Sequence, residues 1–464
     1  MKSSVQFEII KDSLLQQQYA IQALREWNME KQHSFHISTY GCQMNEHDSE
    51  KIAGILLQMG FVETHTQSQA DVILFNTCAI RENAEMRVYG NVGHVKHYKE
   101  KNKDVIIGIC GCMMQQPHVI ETLKKSYPYV ELIFGTHNFH QLPGYLYDII
   151  FKNKKVIEVL KDSDYIIEDL PVSRREKIKS YINIMEGCNN YCTYCIVPFT
   201  RGRERSRAYT DIVEEVKKLV EDGVMEITLL GQNVNSYHGG CSFAELLTKL
   251  NDIENLHRIR FMTSHPKDLN DDVIDAMANL DKVCESLHLP VHSGSNRVLK
   301  KMNRSYTREK YLDTVEKIKK KIPNIALTTD IIIGFPGETM QDVDDTVDLI
   351  KKVDYDSAFT FIYSARQGTP AAKFEDDATE EEKHRRFEYM LEELNKGVIL
   401  KNKQRLGNIY EVLVETYDED TGICEGKSRE FFRIKFKGNM DLVGKLVNVK
   451  ITNPKYFSLE GEII

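Results

Sequence analysis

Nowhere in the 464 residues does an apolar run reach the length of a membrane-spanning helix, which needs roughly 18 residues or more. The opening stretch MKSSVQFEIIKDSLLQQQYA lacks the apolar core of a secretory leader. A cytoplasmic protein with no membrane partner is the expectation. Positive charge is not in excess either. The formal net charge is −8, so the chain as a whole is not a basic nucleic-acid binder, although local basic patches decide phosphate contacts. Low-complexity tracts and solenoid repeats are absent. What remains is an ordinary globular composition, 41% hydrophobic and 28% charged, at a length that suggests about three domains.

One shortage is local. The stretch GCNNYCTYC (187–195) offers Cys188, Cys192 and Cys195 at C-x3-C-x2-C spacing, with no fourth thiol. Structural zinc sites and ordinary iron–sulfur sites use four protein ligands. The ten cysteines, in a reducing compartment, are more often ligands or catalytic groups than disulfides. A zinc reading would recruit His36, His47 or His292, but zinc modules usually come as paired C-x2–4-C knuckles. The spacing, with Tyr194 just before the last thiol, points instead to a 4Fe–4S cubane with one iron left open. Catalytic metal sites stop one protein ligand short in the same way, so that substrate can bind.

The surrounding pattern is α/β. Residues 1–33 predict an accessory segment, with helical spacing in SLLQQQYAIQALREWNMEK. Over 34–151, FHIST, DVILFNT and DVIIGIC alternate with amphipathic stretches, which predicts a doubly wound parallel sheet. Cys42, Cys78 and Cys112 each follow one of these strands, where functional groups of such sheets gather. Residues 152–176 predict a linker. Over 177–403, six strands (YINIM, EITLLG, RIRFM, ESLHLPV, LTTDIIIGF and AFTFIYS) alternate with helices. This predicts a partial (β/α)6 barrel whose chemistry sits on the loops after the strands. A long charged helix, 378–404, closes it. Residues 404–464 show short β-rich runs broken by Gly, Asp and Asn, which predicts a small antiparallel barrel, OB-like.

The motifs STYGCQMNEHDSE, EGCNNYCTYCIVPFTRGRERSR, LLGQNVNSY, HLPVHSGSNRVLKKMNRSYT, TDIIIGFPGET and YSARQGTPAA resemble those of the radical S-adenosylmethionine (SAM) methylthiotransferase family, most closely its tRNA branch. The resemblance covers about residues 33–464 and includes the order of parts, ending in an RNA-binding barrel called TRAM. It implies two 4Fe–4S clusters, one held by Cys188, Cys192 and Cys195, the other by Cys42, Cys78 and Cys112, each with an open iron. It implies two equivalents of SAM, one giving a methyl group and one a 5′-deoxyadenosyl radical. The implied reaction adds a methylthio group to carbon 2 of N(6)-dimethylallyladenosine at tRNA position 37. Partners implied are tRNA, SAM, an electron donor and a sulfur source; a monomer is expected. Two departures stand out. His292 occupies the place of Gln in the family's LPVQSGS, and Ser364-Ala365-Arg366 that of the start of SPRPGT. Cys110 matches no family position, and Cys241, Cys284 and Cys424 match no ligand pattern.

For cofactor contacts the resemblance implies Tyr194 near the SAM adenine, with Gln232 and Asn233 after the second barrel strand and Gly334 after the fifth. Arg201, Arg203, Arg205 and Arg207 crowd the RGRERSR run just downstream of the cluster loop. Arginine suits phosphate and stacks on bases. In the terminal barrel Lys427, Arg429 and Arg433, with Lys435 and Lys437, interleave with Phe431, Phe432 and Phe436, a pattern suited to RNA held by charge and stacking. Strand alternation sends about half of such residues inward, so one phenylalanine is expected in the core. The rival readings are a sibling acting on threonylcarbamoyladenosine in tRNA, a sibling acting on a ribosomal-protein aspartate, and a non-enzymatic iron–sulfur or zinc RNA-binding protein.

Overall fold

A computed structural model describes residues 2–80, 82–161, 166 and 170–464. The chain divides into two compact units, one comprising Met1–Arg175, Glu186–Asn189 and Ile196–Arg205, the other Glu176–Met185, Asn190–Cys195 and Ser206–Ile464.

In the first unit, strands β1 (Ser34–Thr39), β2 (Val62–Glu63), β3 (Val72–Thr77), β4 (Ile106–Gly111), β5 (Leu132–Phe134) and β6 (Val156–Glu158) form one parallel sheet in the order β2-β1-β3-β4-β5-β6. β3 and β4 are buried along their whole length, which is why both read as unbroken apolar runs rather than as alternating ones. Successive residues point into separate cores. Val72 and Leu74 join a cluster with Ile52, Leu56 and Leu146, whereas Ile73 and Phe75 join one with Val88, Val92 and Leu123. Two covered faces are the signature of a doubly wound sheet. The strand order reverses between β1 and β3, and this places the crevice for functional groups there.

The N-terminal helix, Lys2–Glu30, belongs to this unit and packs on it. Leu24 is buried in the first core. The Trp27 indole stacks 3.6 Å from the His33 ring, and Asn28 Nδ2 donates to the Met59 carbonyl at 3.0 Å. The stretch expected as a linker contributes β6 to the sheet edge; its residues 162–165 and 167–169 lie outside the described residues.

All six expected barrel strands are present: β7 (Lys179–Asn183), then, after the two-residue strands β8 (Met185–Glu186) and β9 (Arg205–Ser206), β10 (Glu226–Leu230), β11 (Arg258–Phe261), β12 (Ser286–His288), β13 (Ala326–Ile333) and β14 (Ser357–Ile362). They pair in parallel as β11-β10-β7 and β12-β13-β14. A single bridge, Ile259 to Val283, continues β11 toward β12. One continuous core runs through both halves. Several helices start on capping boxes, including Ser242 with Glu245, Thr339 with Asp342 and Thr379 with Glu382, each satisfying otherwise unpaired first-turn amides. The last of these opens the long helix Glu380–Gln404.

Strands β15 (Ile409–Asp418), β16 (Ile423–Ser428), β17 (Arg433–Lys437), β18 (Leu446–Pro454) and β19 (Leu459–Ile463) close into a barrel in the order β15-β16-β17-β19-β18. Its pairings are antiparallel except β17 with β19, which run parallel, a feature the short β-rich runs do not reveal. Phe436 is its core phenylalanine, at 2% exposure, together with Cys424. Arg258, wholly buried, ties this barrel to the central one by donating to the Glu411 and Lys427 carbonyls and pairing with Glu411 Oε1 at 2.9 Å. No helix among the described residues is long and apolar enough to cross a membrane.

Candidate functional site

The first unit gathers the three N-terminal thiols at the ends of neighbouring strands β1, β3 and β4. Cys42 caps the helix Gln43–Gln58. Its loop lies so close to β3 that a Cβ on Gly41 would stand 2.7 Å from the Cys78 Cβ. Cys42, Cys78 and Cys112 stand close enough that each thiol's charge is felt by its neighbours. Cys110 stays in the strand and in the core. Gly111 then turns the chain at φ +95°, so Cys112 starts a new turn and packs instead with Ala79 and Ile196. That left-handed residue, favourable only for glycine, separates the two thiols.

Polar side chains support the loops. Asn76 Nδ2 donates to the Asn45 carbonyl at 2.8 Å and to Ser49 Oγ at 2.9 Å. Thr77 Oγ1 donates to the Cys110 carbonyl at 2.6 Å. Arg201 enters the same cluster. Its Nε donates to Cys112 Sγ at 3.2 Å and its Nη2 pairs with Asp48 Oδ2 at 2.6 Å. Burial pushes the Cys112 thiol up to about 11, against the pull of Arg201. Cys42 is pulled down, first by the neighbouring Cys78 and then, against burial, by Arg201 and the amides of its helix. All ten cysteines are free thiols. Three converging thiols under a buried cation and a helix N-terminus suit an anionic, thiolate-held group. Among the described residues no three His, Cys, Asp or Glu side chains close around a single metal ion. A four-iron cube needs no such tight grouping, because each thiolate meets a different iron. His36 instead bonds the Thr64 carbonyl and His47 faces Glu50.

The C-x3-C-x2-C loop is divided between the units. In the first, the buried Cys188 donates its N–H to the Gly202 carbonyl at 3.3 Å. In the second, the Cys195 N–H bonds the Cys192 carbonyl, and the Thr193 N–H bonds that of Met302. Arg304 Nη1 lies 3.5 Å from Cys192 Sγ, while its Nη2 donates to the Pro290 carbonyl and its Nε to the Tyr306 hydroxyl.

In the second unit the mouth of the central barrel holds buried polar atoms without a protein partner: Gln232 Oε1, both Asn235 side-chain atoms, Ser264 Oγ, His265 Nε2 and His292 Nδ1. Buried polar groups are nearly always satisfied, so this set, at the strand ends where barrels do chemistry, fits a polar ligand such as SAM. His265 is pulled down to about 2 and His292 well below its ordinary range, in both cases by burial and then by the Arg304 charge; both rings are neutral. His292 has a left-handed backbone, φ +67°, and meets Tyr194 edge-on at 5.2 Å between ring centres. Tyr194 also packs with Phe335. Asn233, in contrast to Gln232, is fully engaged: Nδ2 donates to Asp268 at 2.7 Å and Oδ1 accepts from the His265 N–H. Gly334, at φ +74°, donates its N–H to Glu338 Oε2 at 2.6 Å.

Residues 182–350 match the Radical SAM superfamily, and residues 34–135 the Uncharacterized protein family UPF0004. A tRNA-2-methylthio-N(6)-dimethylallyladenosine synthase of Clostridium botulinum (strain Okra / Type B1) is 55% identical over 435 residues, 93% of this chain and 97% of its own length. One from Clostridium perfringens (strain 13 / Type A) is 53% identical over 95% of this chain and 99% of its own. The chain belongs to the radical SAM methylthiotransferase family. The fold is shared with a radical S-adenosylmethionine methyltransferase, TsrM, from Kitasatospora setae, at TM-score 0.55 and 14% identity over 74% of each chain. For a radical SAM methylthiotransferase the barrel implies one 4Fe–4S cluster and SAM, which the thiols and orphaned polar atoms fit.

The methylthiotransferase sequence does not hold its basic candidates in one state. Of the RGRERSR run, Arg203 is exposed, whereas Arg201 is 3% exposed and committed to Asp48 and Cys112. Arg205 bonds Glu186 and the Arg201 carbonyl, and Arg207 bonds Glu215 and the Asn183 carbonyl. In the terminal barrel Lys427 lies 3.5 Å over the Phe431 ring, Arg429 forks onto Glu285 at 2.7 and 2.9 Å, and the exposed Arg433 pairs with Glu425 across β16 and β17. Phe431 and Lys437 are exposed. Sequence reasoning did not single out Asp48, Asn235, His265 or Arg304. Arg304 lies within a family-like motif, but nothing in its spacing marks it as the partner of a distant cysteine.

Proposed function

We propose that this chain transfers a methylthio group to carbon 2 of N(6)-dimethylallyladenosine at position 37 of tRNA. The observation that carries the reading is the convergence of Cys42, Cys78 and Cys112 in a chain that also bears the C-x3-C-x2-C loop and is 55% identical to curated synthases of that name. In this reading Cys188, Cys192 and Cys195 hold one cluster and Cys42, Cys78 and Cys112 a second. When bound, the clusters and SAM supply radical and sulfur chemistry, which carbon 2 of adenine needs because its hydrogen offers acid–base catalysis little purchase.

The chain's own residues bind, orient and shield. Gln232, Asn235, Ser264, His265 and His292 offer donors and acceptors to the polar parts of SAM. Tyr194, with Phe335 behind it, presents a ring edge and keeps water from the loop. Both imidazoles are neutral, so they would bond as dipoles and add no positive charge to a site for the cationic SAM. Arg203, Lys437 and Phe431 are the exposed groups that suit phosphate and base contacts; Arg433 joins them by exchanging Glu425 for phosphate. An external electron donor and a sulfur source complete the reaction.

Mass spectrometry of tRNA nucleosides from cells lacking the protein tests the substrate. The expected result is loss of methylthio-dimethylallyladenosine with accumulation of its unmethylthiolated precursor, reversed by the intact gene. Normal levels of the modified nucleoside would overturn the assignment. Anaerobic reconstitution should yield about eight irons per chain, two cubanes.

A further inference from the structure

The RGRERSR run reads as an RNA-facing stretch, yet its first arginine is turned away from solvent. Arg201 is 3% exposed, Asp48 1% and Cys112 7%. The placement is enforced from several sides. The Arg201 N–H bonds the Val197 carbonyl at 2.8 Å, the Thr136 hydroxyl bonds the Thr200 carbonyl at 3.1 Å, and Arg205 Nη2 bonds the Arg201 carbonyl at 3.1 Å. Asp48 lies on the helix that Cys42 caps. A guanidinium is a rigid planar fork, and here one prong serves Asp48 while the Nε–H is aimed at sulfur.

We propose that Arg201 is a positioning residue of the Cys42/Cys78/Cys112 cluster, setting its reduction potential through the Nε–H···Sγ hydrogen bond to Cys112, with Asp48 setting how much of the guanidinium charge that sulfur feels. The inference rests on the reading that these three cysteines hold a second cubane. Its physical basis is simple. One-electron reduction adds a negative charge that spreads onto the thiolate sulfurs, and a donor on one of them stabilises the reduced form and raises the potential; hydrogen bonds to sulfur and local charge are established determinants of cluster potentials. Asp48 neutralises much of the guanidinium charge, so removing each residue has an opposite effect.

The test uses the full-length chain with Cys188, Cys192 and Cys195 changed to Ala, so that only this cluster remains. Iron and sulfide are counted, and the cluster is followed through an anaerobic redox titration by electron paramagnetic resonance. The parent should hold about four irons. Arg201→Met should disfavour reduction about tenfold, a midpoint about 59 mV more negative for a one-electron couple. Arg201→Lys keeps the charge but loses the fork, and should fall between. Asp48→Asn unmasks the cation and should move the midpoint the other way. A purely structural role would not produce opposite signs. Should Arg201→Met lose its iron, Arg201→Lys and Asp48→Asn decide by sign. Unchanged midpoints in iron-replete variants would overturn the proposal. A parent without iron would overturn the second-cluster reading, and this proposal with it.

Discussion

Nη1 of Arg304 lies 3.5 Å from Sγ of Cys192, so a buried arginine addresses one sulfur of the C-x3-C-x2-C loop, as Arg201 addresses Cys112 in the other unit. Arg304 also bonds the Pro290 carbonyl and the Tyr306 hydroxyl. Arg304→Met should slow reductive SAM cleavage about tenfold, the order of one charge-assisted hydrogen bond, and cost ~1–3 kcal/mol of stability by leaving the Pro290 carbonyl with only the longer bond from the Tyr306 hydroxyl. Arg304→Lys should recover part of both. Cleavage assayed by chromatography of 5′-deoxyadenosine, beside urea unfolding, checks this.

Gly41 has no room for a side chain. A Cβ would stand 2.4 Å from Asn45 Oδ1 and 2.7 Å from the Cys78 Cβ. Gly41→Ala should therefore displace the Cys42 loop and destabilise the first unit by ~1–3 kcal/mol. Reconstituted iron should fall toward half, with SAM cleavage retained, as read by iron counting and 5′-deoxyadenosine formation.

Glu338 gives a pH signature. Burial, aided by the Asp342 charge and opposed by the Gly334 N–H, pushes its carboxyl up to about 7 from 4.5. Between those values the folded state holds more protons than the unfolded state, so stability falls as pH rises through the window. Glu338→Gln cannot ionise and should lack this fall. Urea midpoints at about pH 5 and about pH 8 should show the variant gaining on the parent at the higher pH; equal differences at both would contradict it.

Exposed and paired arginines should differ in RNA binding. Arg203→Ala should weaken tRNA binding and lower the magnitude of the salt slope by about one phosphate contact. Arg429→Ala should leave the slope unchanged, since its guanidinium is committed to Glu285. Filter binding over a salt series distinguishes the two.

Arg258 lies wholly buried between Glu226 and the terminal barrel, with Glu411 Oε1 at 2.9 Å. Arg258→Ala removes the donor to the Glu411 and Lys427 carbonyls and leaves Glu226 with Arg260 alone, and should cost ~3–5 kcal/mol. Limited proteolysis should then release the segment beyond the helix Glu380–Gln404 earlier than in the parent.

Much of this architecture is written in local pattern. Unbroken apolar runs such as VILF (72–75) announce a strand covered on both faces, and the spacing within GCNNYCTYC announces a group with an open position. Cys42, Cys78 and Cys112 could be suspected together because each follows a strand of one parallel sheet, whose neighbours pair at the same end. The parallel pairing of β17 with β19 was not legible, because strand direction within a small barrel depends on how the chain returns, not on residue alternation.

The fate of the arginines shows where local reading stops. Composition and spacing determined that RGRERSR is basic and follows a cluster loop; they could not say which guanidinium meets solvent. Only the tertiary structure decided that Arg201 turns inward to Asp48 and Cys112, that Arg429 is taken by Glu285, and that Arg203 stays exposed. The reason is that a charge's availability depends on partners brought close by folding. Those partners lie far away along the chain, and no sequence window contains both.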